Sequence, residues 1–239
     1  MNGRTFLRAE LKYLLSKEQH ENLRAFIART LQTDEYGKST VQSLYYDTDN
    51  YLLIRRSLEK PDFKEKLRLR CYGAPDDDSS VFVELKRKSA GIVYKRRVGT
   101  KYGKIKNAIK SNVDFLPSLP GNDKITQEIN YFCSEYEKLS PKALLLYDRE
   151  AYYGENGLRV TFDENTRYRE NRLDFTPPLD GIPLFTKGEV IMEIKVSGGI
   201  PLWLTGALTK EKIAKTSFSK YGAAYEKIYY ENTEMKRYG

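Results

Sequence analysis

The sequence predicts an α+β fold in which a sheet of about eight strands closes into a barrel, with helices packed outside it. Two patterns predict the architecture. Charged and apolar residues alternate with period two in strand-length stretches along nearly the whole chain, and stretches between them carry apolar stripes at helical spacing. A third observation bears on the charged side of that sheet. The chain has 41 Lys and Arg against 33 Asp and Glu, a net charge of +8, which favours a polyanionic partner: nucleic acid, anionic lipid or a phosphate compound.

The pattern begins at residues 8–15, where Arg8, Glu10 and Lys12 fall on one face and Ala9, Leu11 and Tyr13 on the other. Ser16 starts a helix, with Gln19 as its capping-box partner and Leu23, Phe26, Ile27 and Leu31 as its buried stripe. His20, the only histidine, is expected on the exposed early turns. A lone histidine supplies neither a metal cluster nor a nucleophile–base pair. Residues 41–47 form a strand, and Asp47-Thr48-Asp49-Asn50 a turn. That turn is not a calcium loop, because no glycine follows at the sixth position and no glutamate at the twelfth. Residues 51–58 are expected to pair as the next strand. Residues 63–72 form a strong one, with Lys66, Arg68 and Arg70 opposite Leu67, Leu69 and Cys71.

An acidic turn over 75–80 leads into a hairpin over 81–97 that turns at Ser89-Ala90-Gly91. Phe82, Glu84, Lys86 and Lys88 share one face of its first strand; Val81, Val83 and Leu85 share the other. In its second strand Lys95 and Arg97 share a face with Val93. Residues 102–112 are helical, a Pro-rich link covers 117–121, and a helix over about 123–139 carries Ile125, Ile129, Phe132 and Tyr136 on one face. Strands follow at 144–152, with Tyr147 and Arg149 on one face, and at 157–163, with Arg159, Thr161 and Asp163 opposite Leu158, Val160 and Phe162. In the last strand, 189–196, Ile191, Glu193 and Lys195 oppose Val190, Met192, Ile194 and Val196. Helices at 201–213 and 217–230 end the chain, the second with a stripe of Phe218, Tyr221, Tyr225 and Ile228.

The chain's 239 residues suit one large domain or two small ones, and 40% apolar residues with 19 tyrosines can build a real core. Cys71 and Cys133 have no metal-ligand spacing and are expected as free thiols. The first residues lack an apolar signal region, and the longest apolar run, near 143–146, is far too short to span a membrane. These features predict a soluble, cytoplasmic protein. Gly37-Lys38-Ser39 mimics the end of a P-loop, but Gln32 stands where its first glycine belongs. The tyrosines are scattered, and no RNP-like, zinc or helix-turn-helix signal supports nucleic-acid binding.

A solvated outer face would alternate in the same way on any one hairpin. Recurrence along the chain favours a different arrangement: helices cover the apolar face and the charged face lines the concave side. Unpaired buried charge is too costly to form a dry core, so such a lumen must hold water, anions or metal. Its lining would be Lys12, Arg68, Arg70, Lys86, Lys88, Lys95, Arg97, Arg149, Arg159 and Lys195, with Glu10, Glu84 and Glu193 as minority carboxylates. Arginine forks bind phosphate oxygens bidentately, lysines supply point charge, and a few carboxylates suit Mg or Mn bridging phosphates.

The segments Arg8-Ala-Glu10-Leu-Lys12-Tyr13, Tyr45-Tyr46-Asp47-Thr48, Lys66-Leu-Arg68-Leu-Arg70, Glu84-Leu-Lys86-Arg87-Lys88, Lys95-Arg96-Arg97, Tyr147-Asp-Arg149, Leu158-Arg159-Val-Thr-Phe-Asp163, Glu193-Ile-Lys195 and Phe218-Ser219-Lys220-Tyr221 occur in this order over almost the whole chain. Together they resemble the VTC catalytic domain, a polyphosphate polymerase domain of the triphosphate tunnel metalloenzyme (CYTH-like) superfamily. The resemblance implies one domain over residues 1–239 and a tunnel of antiparallel strands. It implies that Lys12, Arg68, Arg70, Lys86, Arg149, Arg159 and Lys195 act on the phosphates, and that Lys95 and Arg97 also hold the phosphate ligand. A C-terminal helix would bring Ser219 and Lys220 to one mouth, and Glu193 with Glu10 would hold Mn2+ or Mg2+. Related tunnel hydrolases begin with Glu-x-Glu-x-Lys; here Arg8 takes the first position, which weakens a hydrolase reading. Ser217 stands where a lysine is expected, with Lys215 the nearest cation before it.

The expected reaction is transfer of the ATP γ-phosphoryl group to a polyphosphate end. Positioning and charge stabilisation dominate such transfers. The attacking phosphate oxygen is already anionic, so no general base is needed. The alternatives are a metal-dependent tripolyphosphatase or nucleoside triphosphatase on the same scaffold, and a non-catalytic polyphosphate-binding module. The expected partners are ATP, polyphosphate or other triphosphates, with no nucleic acid and no membrane span.

Overall fold

The computed structural model describes residues 8–90, 92–111, 119 and 123–238. In chain order its elements are β1 (Arg8–Leu15), α1 (Lys17–Thr30), β2 (Gln32–Thr33), β3 (Ser39–Asp47), α2 (Leu52–Leu58), β4 (Lys64–Tyr72), β5 (Ser80–Ser89), β6 (Ile92–Lys101), α3 (Tyr102–Ser111), α4 (Lys124–Ser134), β7 (Ser140–Tyr153), β8 (Arg159–Arg169), β9 (Ile182–Pro183), β10 (Val190–Ser197), α5 (Leu202–Lys210), β11 (Lys215–Thr216) and α6 (Lys220–Tyr238). They fall into two compact units. The first takes the chain up to Thr40, with Tyr147–Thr166 and Phe185–Phe218; the second takes Val41–Leu146, Arg167–Leu184 and the chain from Ser219 onward.

In the first unit the strands run in the order β11-β1-β10-β8-β7, with β2 paired to β7. Period-two alternation turns Tyr13, Leu15, Val160, Phe162, Met192 and Ile194 to one side, where α1 (Leu23, Ile27) and α5 (Leu204, Leu208) close a core over them. In the second unit the order is β7-β3-β4-β5-β6, with β9 paired to β8. Leu67, Leu69, Cys71, Val83, Leu85 and Leu144 face a separate core, under Ile105 and Ile109 of α3 and Ile129 and Phe132 of α4. A one-residue slip would carry each apolar row to the wrong face. At roughly 1.5–3 kcal/mol per buried large side chain, these two cores fix the register.

The expectation of a closed barrel of about eight strands does not hold. Among the described residues the sheet has eleven strands and is open, ending at β11 on one edge and β6 on the other, with the mostly antiparallel α+β character retained. β7 and β8 are longer than predicted, and the two-residue β2, β9 and β11 carry too little pattern to be read from sequence.

Residues 52–58 are a helix, not a strand. Tyr51 turns the chain at φ 57°, and the Asp47 carboxylate accepts the N–H groups of Leu53 (2.8 Å) and Ile54 (3.0 Å) while Thr48 Oγ1 accepts that of Leu52. Those donors have no intrahelical partner in a first turn, so side chains from the preceding turn nucleate α2. Ser16 and Gln19 form the predicted capping box. Both cysteines are free. Helix α4 ends at Ser134, short of the predicted 139, and Ile125 is exposed. Gly91 of the hairpin turn, the 117–121 link apart from Leu119, and the Arg8 side chain lie outside what is described. Among the described residues no helix is long and apolar enough to cross a membrane.

His20 is buried, contrary to the sequence expectation. It shares the α1 stripe with Leu23 and Ile27, and its ring meets Phe162 edge-on at 4.9 Å. Phe26, assigned to that stripe, is instead exposed and packs against Trp203. Burial pushes the His20 pKa down, against the pull of Glu164 at 3.8 Å. The folded state therefore binds this proton less readily than the unfolded chain. Stability is full above the ordinary histidine value, about 6.5, and falls as pH drops from there toward the folded pKa. In urea unfolding between pH 7 and 5, His20→Phe should remove this component, at most about 1.4 kcal/mol per pH unit. An unchanged slope would show that His20 does not carry it.

Candidate functional site

On the second unit, register aligns the residues opposite the core into rows. Tyr45, Arg68, Glu84 and Arg97 form one; Ser43, Arg70, Phe82 and Gly99 the next; Lys66, Lys86 and Lys95 a third. Glu84 is the single carboxylate that β4, β5 and β6 place on this face. Its side chain is 1% exposed, and four cations close on it: Arg68 Nη2 at 2.7 Å, Lys95 Nζ at 2.7 Å, Arg97 Nε at 3.0 Å and Arg70 Nε at 3.8 Å. Burial alone would raise the Glu84 pKa; Arg68, Arg70 and Lys95 outweigh it and hold the carboxyl well below its usual range. Burial, with Arg68 and Arg70 nearby, keeps the Lys95 pKa below its ordinary value despite Glu84. The Arg97 guanidinium also lies 3.7 Å above the Phe82 ring and donates to the Tyr72 hydroxyl.

Helix α6 is fixed to this face at its first turn. Tyr221 stacks on Tyr45, ring centroids 4.5 Å apart, and its hydroxyl donates to Asp47 Oδ2 at 3.0 Å. Arg68 Nη1 donates to the Tyr45 hydroxyl at 2.9 Å. The Ser219 hydroxyl accepts the Gly222 N–H, capping the helix, and also accepts from Lys66 Nζ at 2.9 Å. Lys220, the first helical residue, is half-buried beside it.

On the first unit, β1 and β10 interleave two lysines with two glutamates: Glu10 opposes Lys195 and Lys12 opposes Glu193. Lys195 lies 3.0 Å from Glu193 and Lys12 3.6 Å from Glu10; Lys12 Nζ also donates to the Phe218 carbonyl at 3.3 Å. Burial would raise the Glu193 pKa, but Lys195 and Lys12 bring it down to about 2. On β8, opposite β10, Arg159 pairs with Lys195, Thr161 with Glu193 and Asp163 with Ile191. Asp163 takes Arg149 in a bidentate pair at 2.6 and 2.8 Å. The Arg159 guanidinium lies 5.0 Å over the Tyr153 ring, with Asp34 at 3.8 Å, and its buried Nε has no hydrogen-bond partner.

Among the described residues no three His, Cys, Asp or Glu side chains gather into a metal-binding group. That does not suit an all-protein cage. It does suit Mg2+ or a similar hard cation, which keeps waters and takes one or two carboxylates together with substrate phosphates. Glu193, held low by Lys195 and Lys12, and Glu10 are donors on this face, beside Asp163, which Arg149 takes.

The sequence-predicted residues therefore fall into two groups. Arg68, Arg70, Lys86, Lys95 and Arg97 share the second unit's charged face, with Ser219 and Lys220 at the start of its helix; Lys88 lies at the far end, opposite Lys64 and Val93. Glu10, Lys12, Arg149, Arg159, Glu193 and Lys195 belong to the first unit. Sequence reasoning underrated Glu84, named only as a minority carboxylate, and Asp163, which has the same period-two spacing as Arg159. It also missed the Asp47–Tyr221–Tyr45 anchor. Asp47 and Tyr45 stand far from Tyr221 in sequence, and nothing local shows that the last helix returns to them.

An α+β architecture with an open, mostly antiparallel sheet, and in each unit a core on one side and cations on the other, defines the class of protein. A structure of HpAC1 from Hippeastrum, described as a putative adenylyl cyclase with a dominant triphosphatase activity, superposes with a TM-score of 0.52 at 15% identity, covering 90% of this chain and 93% of that one. The PH1819 protein of Pyrococcus horikoshii OT3 superposes at 0.46 and 15% identity, covering 92% and 99%. Subunit 4 of the vacuolar transporter chaperone complex of Trypanosoma brucei brucei is 33% identical over 93 residues, a match spanning 34% of this chain and 12% of that protein. The family model of the VTC domain matches residues 7–229, and the chain belongs to that family.

Removing the carboxylate at the centre of the four cations tests the charge balance. Glu84→Gln should cost toward the lower end of roughly 3–5 kcal/mol in urea unfolding, because Lys95 and Arg97 remain partly hydrated. Millimolar tripolyphosphate should restore part of that loss. A variant as stable as the natural chain, or indifferent to the anion, would contradict the balance.

Proposed function

We propose that this chain is a polyphosphate polymerase domain that transfers the ATP γ-phosphoryl group to a growing polyphosphate chain. Family membership and the shared fold support the broader reading, a polyphosphate- or triphosphate-directed activity. The observation that carries the finer one is Glu84, a single buried carboxylate shared by four cations, which leaves a cationic face suited to a polyanion. In this reading Arg68, Arg70, Arg149 and Arg159 hold phosphate oxygens, Arg149 while paired with Asp163 and Arg68 while paired with Glu84, and Lys12, Lys86, Lys95, Arg97 and Lys195 offset the charge of donor and product. Ser219 and Lys220 add contacts at the start of α6. Mn2+ or Mg2+, held by Glu193 and Glu10, would neutralise phosphate charge when bound. Residues 1–239 act as one VTC-type domain on ATP and polyphosphate in the cytoplasm. A metal-dependent triphosphatase is the second reading, favoured by the fold shared with HpAC1; Arg8 in place of a glutamate weighs against it.

Incubated with ATP and Mn2+ or Mg2+, the protein should make a long anionic polymer, visible on a gel, and chelation should abolish it. Arg68→Ala, Arg159→Ala and Glu193→Gln should each cut turnover by about 100-fold or more. Arg96→Gln should not, since Arg96 lies on the helix-covered side and is paired with Glu128 at 2.6 Å. Phosphate release without polymer selects the triphosphatase. Tripolyphosphate binding without turnover, indifferent to Glu193→Gln, selects a binding module.

A further inference from the structure

On the first unit, two adjoining clefts share Tyr153, Gly154 and Leu158. The smaller, about 240 Å3, is bounded by Arg159 and Lys195. The larger, about 850 Å3, passes over Leu31, Val196, Pro201 and Trp203. Its floor is tightly built: a Cβ on Gly154 would come within 2.7 Å of Leu31 Cδ2 and 3.3 Å of Leu158 Cδ2, so only glycine lets these side chains meet the turn. Trp203 is half-buried against Phe26, and Tyr153 is 41% exposed while the Arg159 guanidinium lies over its ring.

Phosphate alone has no use for the apolar part of this surface. A ligand with a flat, weakly polar ring at one end and a string of anionic oxygens at the other would satisfy both parts. The size is within the range of small-molecule sites, roughly 300–1,000 Å3. Arg159 borders the smaller cleft next to Leu158, which both clefts share, and its buried Nε has no hydrogen-bond partner within the protein. We infer that the larger cleft is a nucleoside subsite: a nucleoside triphosphate lays its base against Trp203 and Tyr153 and runs its phosphates to Arg159 and Lys195. The inference rests on reading those two cations as phosphate ligands. It adds to that reading the part of the substrate that polyphosphate lacks.

Trp203 is the chain's only tryptophan, so its emission reports on the cleft directly. The full chain is titrated in Mg2+ with the β,γ-imido analogue of ATP and, separately, with tripolyphosphate, following emission and heat. The analogue should change Trp203 emission and tripolyphosphate should not, although both release heat. Trp203→Leu should weaken the analogue by roughly tenfold, the worth of one base–aromatic stack, and leave tripolyphosphate binding as it was. If the analogue binds but emission stays flat, or moves equally with both ligands, the subsite is overturned and the phosphate site stands. If neither ligand binds, both fall. Should Trp203→Leu fail to fold, the emission of the natural chain decides.

Discussion

A cation taken out of water needs countercharge, and this chain rations it unevenly between the two sides of its sheet. On the helix-covered side of the second unit, Arg87 pairs with Glu65 and Glu128, and Arg96 pairs with Glu128. Those charges balance nearly one to one. On the opposite face Glu84 serves Arg68, Arg70, Lys95 and Arg97 at once. The pairs on the helix-covered side are partly buried and nearly neutral as a set. The second arrangement leaves the folded protein with positive charge held in place, the preorganisation that the proposed phosphate chemistry would use.

The first unit solves the same problem differently. Lysine and glutamate alternate across β1 and β10, and Asp163 is committed to Arg149. Three carboxylates, Glu10, Glu193 and Asp163, stand among four cations, Lys12, Lys195, Arg149 and Arg159, so this face is closer to neutral than the second unit's. In the second unit α6 is tied directly to the cationic rows. The chain of contacts runs from Asp47 through Tyr221 and Tyr45 to Arg68 and Glu84. The same aspartate starts α2. One buried carboxylate therefore ties a helix near the start of the unit to one at its end, and both to the cationic rows.

Much of this was legible in the sequence because a strand prints its two faces as alternate letters. The rows Lys66-Arg68-Arg70, Glu84-Lys86 and Lys95-Arg97 could be read directly, as could the apolar rows between them. Closure could not be read, since pairing order depends on which distant strands meet, and the sheet proved open. Residues 51–58 misled because Leu52, Leu53 and Ile54 suit a strand as well as a helix, and the deciding partner is the side chain of Asp47. His20 misled because its side chain is polar, although it stands at helical spacing from Leu23 and Ile27 and extends their stripe by one turn. Glu84 looked like one acid among many bases; only register reveals that four of them share it.

The most direct test is a crystal structure with tripolyphosphate bound. The account predicts phosphate oxygens in contact with Arg68, Arg70 or Lys95 on the second unit and with Arg159 or Lys195 on the first. Phosphates lodged instead against Arg87 and Arg96 on the helix-covered side, or ordered nowhere on these rows at saturating ligand, would contradict it.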